Sequence, residues 1–426
     1  MSTLAHDVAA AVAREDGVSL ANLLSLQTGS TRRHLATVAD PTPSTVQGLV
    51  YPARLPTAWH DMLVHYICAG ALLFGPSTRS RKPSESWHLA SEALQSSTRY
   101  VPLLTPSVFL RLFAALAPGL WAVPVLVSLL RDLRWVSKCA DDAAHAALRE
   151  TRRSHPHMEE CARTLNRGFS ACVADRYPSM AQSRKWGTYA MVGLVFRTYF
   201  QLSSISLCKN ILRALSAGDL PPLEAFPKAH IVTFRYYVGR LALLDEDYIR
   251  AKAELSQALA LAPRSSATHV ERVLLYLVPL RLLQGQQPAS WWLAEYPRLE
   301  ALYAPFLGAC RRGDVRAFDE ALRDSAVERT LVRLGVYLAM ERARDVCMTR
   351  LLRRVWAYSG RGTRLRLAPM AAALQWLGAA DDADGAEWLV ATQMARGRIK
   401  GYIAHERQML VLSANEPFPP ASLAML

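Results

Sequence analysis

One stretch of the chain, Phe234 to Pro263, constrains the fold more than any other because its pattern predicts two helices that cannot fold alone. It reads FRYYVGRLALLDEDYIRAKAELSQALALAP. Small and apolar residues recur at helical spacing on both sides of the polar turn Asp245-Glu246-Asp247. Gly239 and Ala251 leave room for the two helices to approach closely. Such a hairpin buries its apolar face only by stacking on similar neighbours, so we expect a stack of helices.

Helical patterns continue on both sides of this hairpin. From about Thr57 to Leu215 one helix follows another, with breaks where glycine and proline interrupt the apolar period. After the hairpin, a second pair of helices is predicted over 271–286 and 297–324, followed by one continuous helix from about Glu328 to Trp356. The predicted fold class is therefore mainly α, a tetratricopeptide-like helical-repeat solenoid.

The pattern changes after Trp356, where the segments become short. An extended RLRLAP precedes a helix at Met370 to Leu377, an acidic turn DDADG, and a helix at Ala386 to Arg396. The stretch Ala395 to Ser413 then reads ARGRIKGYIAHERQMLVLS, which predicts a basic hairpin with Gly401 at a turn or bulge. This order of elements is that of a winged helix. We expect it to cap the end of the helical stack.

The length of 426 residues exceeds what one hydrophobic core normally fills, so several parts are expected. We divide the chain into an N-terminal segment, partly helical, over 1–56 and N-terminal helical repeats over 57–215. The tetratricopeptide-like helices take 216–340, and the winged helix with its tail takes 341–426.

The net charge of +14 comes mainly from arginine, which suits bidentate contact with phosphate. Arginine is also common in proteins from genomes rich in guanine and cytosine. The positions of the charges must therefore decide between nucleic-acid binding and this compositional bias. Eight arginines and the single acid Asp345 lie between Arg342 and Arg366. This density predicts a basic surface beside the winged helix that binds nucleic acid with little sequence preference. The alternative is a solvated surface whose arginines pair with acids of neighbouring helices.

The candidate site residues fall into two sets. The cations predicted to contact nucleic acid are Arg350, Arg353, Arg354, Arg364, Arg366, Arg396, Arg398, Lys400 and Arg407. The residues predicted to contact a partner protein, on the apolar side of the hairpin, are Ile399, Tyr402, Ile403, Leu410 and Leu412. Packing within the module is the alternative role of this second set.

Other site chemistries find little support in the sequence. No glycine-rich phosphate loop, metal-spaced histidine pair or nucleophile elbow occurs, and GRGTR at Gly360 to Arg364 lacks the lysine of a phosphate-binding loop. We expect no enzyme activity, cofactor, metal or small-molecule substrate. The seven cysteines lack paired spacing and are expected to be free, mostly buried thiols. Trp291 and Trp292 are expected in the core.

The apolar run Val101 to Leu130 is the one stretch that could be mistaken for a membrane span. Arg111 and several prolines divide it into pieces too short to cross a bilayer, so we expect buried helices and no contact with a membrane.

Several blocks resemble a known family. They include LWAVPVLVSLLRDLRWVSKCAD, SRKWG, FRTYFQLSSISLCKNILRA, the hairpin above and GRIKGYIAHERQMLVLSANEPFP, in family order from about Leu120 to Pro419. Together they resemble PCI-domain proteins, in particular the branch that holds the PCI subunit of the TREX-2 messenger-RNA export complex and its signalosome-subunit-twelve-like relatives. Arg353 and Arg354 match the basic pair of the family's long helix. Met348, Thr349 and Arg350 depart from the tyrosine-arginine-asparagine that usually precedes it.

This resemblance implies a right-handed solenoid and a non-catalytic scaffold function. The implied partners are the large PCI-type scaffold subunit of TREX-2, the small acidic protein shared with the proteasome lid, and RNA or possibly DNA. The implied location is the nucleus, at the nuclear pore, with some protein in the cytoplasm. The alternative is a structural subunit of a signalosome-like or lid-like assembly that has no nucleic-acid role.

Overall fold

The computed structural model describes residues 2–76, 85–89, 110, 113, 119–148, 154–177 and 179–421. The chain forms two compact units, Met1–Ile231 and Val232–Leu426. The described part is mainly α-helical with one small sheet, as the sequence predicts. The four-part division of the chain stays a prediction.

The first unit is built from helices. Those whose bounds the structure describes, within or beginning in this unit, are α1 Ser2–Ala13, α2 Gly17–Leu23, α3 Gly29–Leu35, α4 Pro43–Val50, α5 Thr57–Phe74, α6 Val123–Leu148, α7 Pro156–Val173, α8 Thr188–Gln201, α9 Ser206–Ala217 and α10 Lys228–Leu244. Helix α7 packs on both α6 and α8.

The SRKWG block forms the corner between α7 and α8. Arg184 is buried and donates from Nε and Nη2 to Oδ1 of Asp175, at 2.9 and 2.7 Å. The other carboxylate oxygen accepts from the Ser183 hydroxyl at 2.7 Å. Trp186 packs against Phe226 with ring centroids 5.0 Å apart. The block is therefore a structural element of the first unit.

The second unit continues the helices and ends in the sheet. Its remaining elements are α11 Tyr248–Leu261, α12 Ala267–Leu283, α13 Ser290–Leu293, α14 Pro297–Arg312, α15 Val315–Arg323, α16 Ser325–Leu334, α17 Tyr337–Tyr358, β1 Arg364–Arg366, α18 Ala368–Trp376, α19 Ala383–Ala395, β2 Gly401–Ala404 and β3 Met409–Leu412. Helix α14 packs on α15 and α17, and α17 packs on α18.

The predicted hairpin is confirmed as α10 and α11. Asp247 ends the turn and caps α11, since its side chain accepts from the backbone N–H of Arg250 at 3.0 Å. A Cβ at Gly239 would lie 2.7 Å from Cγ of Leu255 and 3.3 Å from the carbonyl oxygen of Ala251. Glycine is therefore required for this approach of the two helices.

The prediction of one helix from Glu328 to Trp356 is wrong. The chain breaks at Gly335, whose φ of +76° ends α16 in the left-handed conformation. Its backbone N–H bonds back to the carbonyl of Val332 at 2.9 Å, and α17 begins at Tyr337.

The winged-helix order is confirmed: α17, β1, α18, α19, β2 and β3 follow one another, and the sheet order is β1-β3-β2 with antiparallel pairs. The hairpin strand starts at Gly401 instead of Arg398. At Gly401 an added Cβ would lie 2.1 Å from the carbonyl oxygen of Val411, so a side chain has no room there. Buried residues from Ala242 to Phe418 form one hydrophobic cluster, so the module and the helices before it share a core.

No disulfide joins any of the seven cysteines, which all belong to the described residues, and all but Cys139 are buried. Much of the apolar run Val101 to Leu130, namely 101–109, 111–112 and 114–118, lies outside the described residues. Within the residues that are described, no helix is both long enough and apolar enough to cross a membrane.

Candidate functional site

The three-stranded sheet has one face on the core and one face toward the surface. Residues directly opposite each other in an antiparallel pair point to the same face. Arg364, Val411 and Tyr402 lie in one row across the strands. The next row on that face holds Arg366, Met409 and Ala404. We call these six residues the outer sheet face.

Arginine and tyrosine dominate the outer sheet face. Arg364 and Arg366 are exposed on either side of buried Leu365, and Tyr402 keeps 62% of its surface exposed. Arg407 lies in the turn between β2 and β3 and, with Arg366, lines an open pocket of about 490 Å³. The acid Glu406 precedes it in the same turn.

Five exposed arginines of this region make neither an ion pair nor a side-chain hydrogen bond with a described residue: Arg353, Arg361, Arg364, Arg366 and Arg407. Four of them belong to the predicted nucleic-acid set. Arg361, in the loop before β1, does not belong to that set. Its place in the sequence, between Trp356 and the arginines of β1, is the signal that assigns it to the same basic surface.

Several other arginines of the cluster are engaged by the protein itself. Arg342 pairs with Glu246, and Arg344 pairs with Asp319 through two bonds of 2.6 and 2.9 Å. Hydrogen bonding to Asp319 raises the pKa of Arg344. These two contacts follow the alternative interpretation of the cluster, in which arginines pair with acids of neighbouring helices.

Two predicted nucleic-acid contacts on α17 bond to the ends of earlier helices. Arg350 is half-buried and donates to the carbonyls of Gly285 and Cys310, at 3.3 and 3.5 Å. Arg354 is exposed and donates to the carbonyl of Arg312. Arg350 thus joins α17 to the last turn of α14 and to the turn that follows α12.

The prediction of Arg398 as a surface cation is wrong, because only 4% of its surface is exposed. Its Nε and Nη1 have no hydrogen-bond partner among the described residues. Burial lowers the pKa of Arg398, although Asp345 opposes that shift. Arg396 is exposed and pairs with Asp345, while Lys400 is exposed and lies 3.3 Å from a carboxylate oxygen of Glu416.

A buried polar network connects α17 with α19 around Asp345. Oδ1 of Asp345 accepts from Nε2 of Gln393 at 3.1 Å, and Oδ2 accepts from Arg396. The Thr349 hydroxyl lies 3.1 Å from Oε1 of Gln393 and donates to the Asp345 carbonyl at 2.7 Å. The network fixes α19 on the long helix.

Most of the predicted partner-binding set lies inside the module. Ile399, Leu410 and Leu412 are buried in the hydrophobic cluster, and this is a correction of their predicted surface role. Ile403 is half-buried on the inner side of the sheet, opposite Leu410. Only Tyr402 is well exposed, and it lies on the same face as the two strand arginines.

Helix α19 occupies the place of the recognition helix in a winged helix. Its sequence ADGAEWLVATQMA contains no lysine or arginine, and it follows Asp381 and Asp382. His405 of the turn lies 2.9 Å from a carboxylate oxygen of Glu387, and that contact raises the pKa of the histidine. This helix presents no positive charge for a nucleic-acid groove.

Exposed tryptophans are a functional feature that the sequence pattern does not predict. Trp388 on α19 is 66% exposed, and Trp376 at the end of α18 is 77% exposed. Trp291, expected in the core, is 73% exposed. Arg316 of α15 donates to the carbonyls of Trp376 and Leu377 and so fixes the end of α18.

Comparison with known proteins gives relatives that match this chain over more than two thirds of their length. The chain is 40% identical to a protein named CSN12 homolog from Mycosarcoma maydis, over 95% of this chain and 94% of that protein. It is 38% identical to a CSN12 homolog from Neurospora crassa, over 70% and 72% of the two chains. It is 31% identical to PCI domain-containing protein 2 from Xenopus laevis, over 76% and 79%. No protein-family model matches the chain.

Proposed function

The chain belongs to the PCI-domain, CSN12-like family, and from this premise we propose that it is a structural subunit of a multi-protein assembly of the signalosome-like or lid-like kind. In this role it pairs with another PCI-type subunit through its winged-helix module and carries out no catalytic step.

The observation that carries the proposal is the surface of α19. This helix exposes Trp388 and Ala391 and has no basic residue, so its surface suits a protein better than a polyanion. Exposed tryptophan is enriched at the centres of protein interfaces, where it supplies a large apolar area. The network of Asp345 and Gln393 holds the helix in place, which limits the ordering cost of binding.

The test is co-purification of the tagged full-length chain from cells of its own organism. We expect Trp388→Ala to deplete a PCI-type subunit from the purified complex. Trp291→Ala is the matched control, because Trp291 is similarly exposed but lies outside the module. The proposal is wrong if Trp388→Ala retains that subunit at the wild-type level.

A second candidate function rests on the five exposed arginines whose side chains have no partner among the described residues. We propose that the module also binds nucleic acid in a TREX-2-like messenger-RNA export complex, with the large scaffold subunit and the small acidic protein as partners. That function places the protein in the nucleus, at the nuclear pore. Cations without a carboxylate partner are free to bind phosphate and release counterions.

This second function is tested by RNA binding across a salt series, for the chain alone and with its co-purified partner. Steep loss of affinity with rising salt supports it. Absence of binding at low salt in both forms rejects it and leaves the structural role alone.

A further inference from the structure

We propose that the outer sheet face binds single-stranded nucleic acid, with one base stacked on Tyr402 and backbone phosphates held by Arg364 and Arg366. The inference rests on the second candidate function and assigns it a face and a ligand class.

The register of the sheet places these groups together. Arg364 on β1 and Tyr402 on β2 lie in one row, with one residue of the central strand β3 between them. Their Cα atoms are therefore two strand spacings, roughly 10 Å, apart. Arg366 follows on the same face, two residues along β1. Val411 and Met409 form the half-buried apolar surface between them.

The charge of this face suits a polyanion. The strands contribute two arginines and no acid to it, and Arg407 adds a third cation at the pocket that it shares with Arg366. Glu406 is the acid of the same turn. Two further acids of the module already have partners: Glu387 is paired with His405, and Glu416 is paired with Lys400.

An exposed tyrosine at the edge of such a surface favours a single strand. A base can stack on an aromatic ring only when it is free of its own duplex, and stacking of this kind tolerates any sequence. Reading a duplex requires an element that enters a groove, and in a winged helix that element is the recognition helix. Here α19 contains Asp384 and Glu387 and no cation, so it opposes that mode.

The experiment measures fluorescence anisotropy of the full-length protein with a short labelled oligouridine, the matching oligothymidine and a duplex of the same length. We expect both single strands to bind more tightly than the duplex. The RNA and DNA arms decide whether the 2′-hydroxyl adds to the shared contacts.

Variants then locate the face. Tyr402→Ala should weaken single-strand binding by about 5- to 140-fold, the range expected for one stacked base, whereas Tyr402→Phe should keep it. Arg364→Glu with Arg366→Glu should reduce the salt slope by about 1.4, since each lost phosphate contact removes roughly 0.7 for a single strand. Arg323→Glu with Arg333→Glu is the control of equal charge change on exposed residues of α15 and α16.

The outcomes separate the two proposals. No binding by the wild-type chain, alone or with its partner, rejects the nucleic-acid function and this inference with it. If the wild type binds but Tyr402→Ala and the charge reversals behave like the control, the nucleic-acid function is supported and its assignment to the outer sheet face is wrong. Equal or tighter binding of the duplex also overturns the single-strand assignment.

Photo-crosslinking gives a readout that does not depend on affinity. An oligonucleotide with 5-iodouracil should crosslink to the peptide that contains Tyr402, as detected by mass spectrometry. A crosslink confined to the peptide of Trp388 would place the ligand on α19 and overturn the proposal.

Discussion

Arg184 in the first unit and Arg398 in the second are both buried, 8% and 4% exposed, but their surroundings differ completely. Arg184 has its own carboxylate, Asp175, and a backbone carbonyl at Phe113. The phenyl ring of Phe113 also lies 4.8 Å from the guanidinium carbon. Arg398 has no ion pair with a described acid; Asp345, which opposes the lowering of its pKa, already accepts hydrogen bonds from Gln393 and Arg396.

Burial of an arginine therefore does not by itself define its contribution to stability. A buried charge is tolerated when its hydrogen bonds are complete, and it costs free energy when they are not. Arg184 therefore belongs to the structure of its unit. Arg398 is a buried cation whose removal relieves an unsatisfied group.

The largest expected effect is that of Arg184→Met. It leaves Asp175 buried without its cation, so we expect the free energy of unfolding of the first unit to fall by about 3–5 kcal/mol. Urea denaturation of the full-length chain measures it. Arg163→Met, which breaks an exposed ion pair with Glu160, should change stability by no more than about 1 kcal/mol. A loss for Arg184→Met equal to that of the control would contradict the structural role.

The second prediction concerns the difference in free energy of unfolding between the wild type and Arg184→Met, which should depend on pH. Burial tends to raise the pKa of Asp175, but hydrogen bonds from Ser183 and Arg184 outweigh it, so the pKa lies below the usual 3.8. A carboxyl with a lowered pKa stabilises the folded state fully above 3.8 and loses that contribution as the pH falls below it. The stability gap between wild type and Arg184→Met should therefore narrow in acid. A gap that stays constant from neutral to acid pH argues against the ion pair as its source.

A smaller effect is expected for Gln393→Leu. This change removes the bonds of Gln393 to Asp345 and Thr349 and leaves a buried carboxylate oxygen without that donor. We expect the free energy of unfolding of the second unit to fall by about 1–3 kcal/mol. Thr392→Ala on the same helix is the control, measured by the same urea titration. No loss for Gln393→Leu would show that the network is dispensable.

The smallest effect is expected for Arg398→Met. Because two of its donor nitrogens have no partner, the variant should lie within about 1 kcal/mol of the wild type or be more stable. Its affinity for RNA, if the chain binds RNA, should be unchanged. A loss as large as that of Arg184→Met would mean that the two buried arginines stabilise the protein in the same way.

Local patterns were sufficient to predict much of the fold. The α10–α11 hairpin and the order of elements in the winged helix follow from apolar period and turn residues. The break at Gly335 was missed because the apolar pattern runs through it, and only the positive φ of the glycine ends the helix there.

The site was harder to predict because exposure depends on distant parts of the chain. Alternation in RIKGYI suggested that Arg398 and Ile399 point to opposite sides, but the chain turns at Gly397, with φ of +69°, and both residues are buried before β2 begins. Arg350 could not be told from Arg353 by sequence, since its partners are carbonyls at Gly285 and Cys310, far along the chain.

The position of β3 has a consequence for biosynthesis. β3 is the central strand, and both β1 and β2 pair only with it among the described strands, yet it follows both in sequence. While a ribosome is still translating the codons before Met409, neither pair has formed, and buried positions such as Leu365 lack the strand that covers them. The nascent module therefore cannot complete its fold until its last strand has been synthesised. Until then its apolar residues are accessible to chaperones.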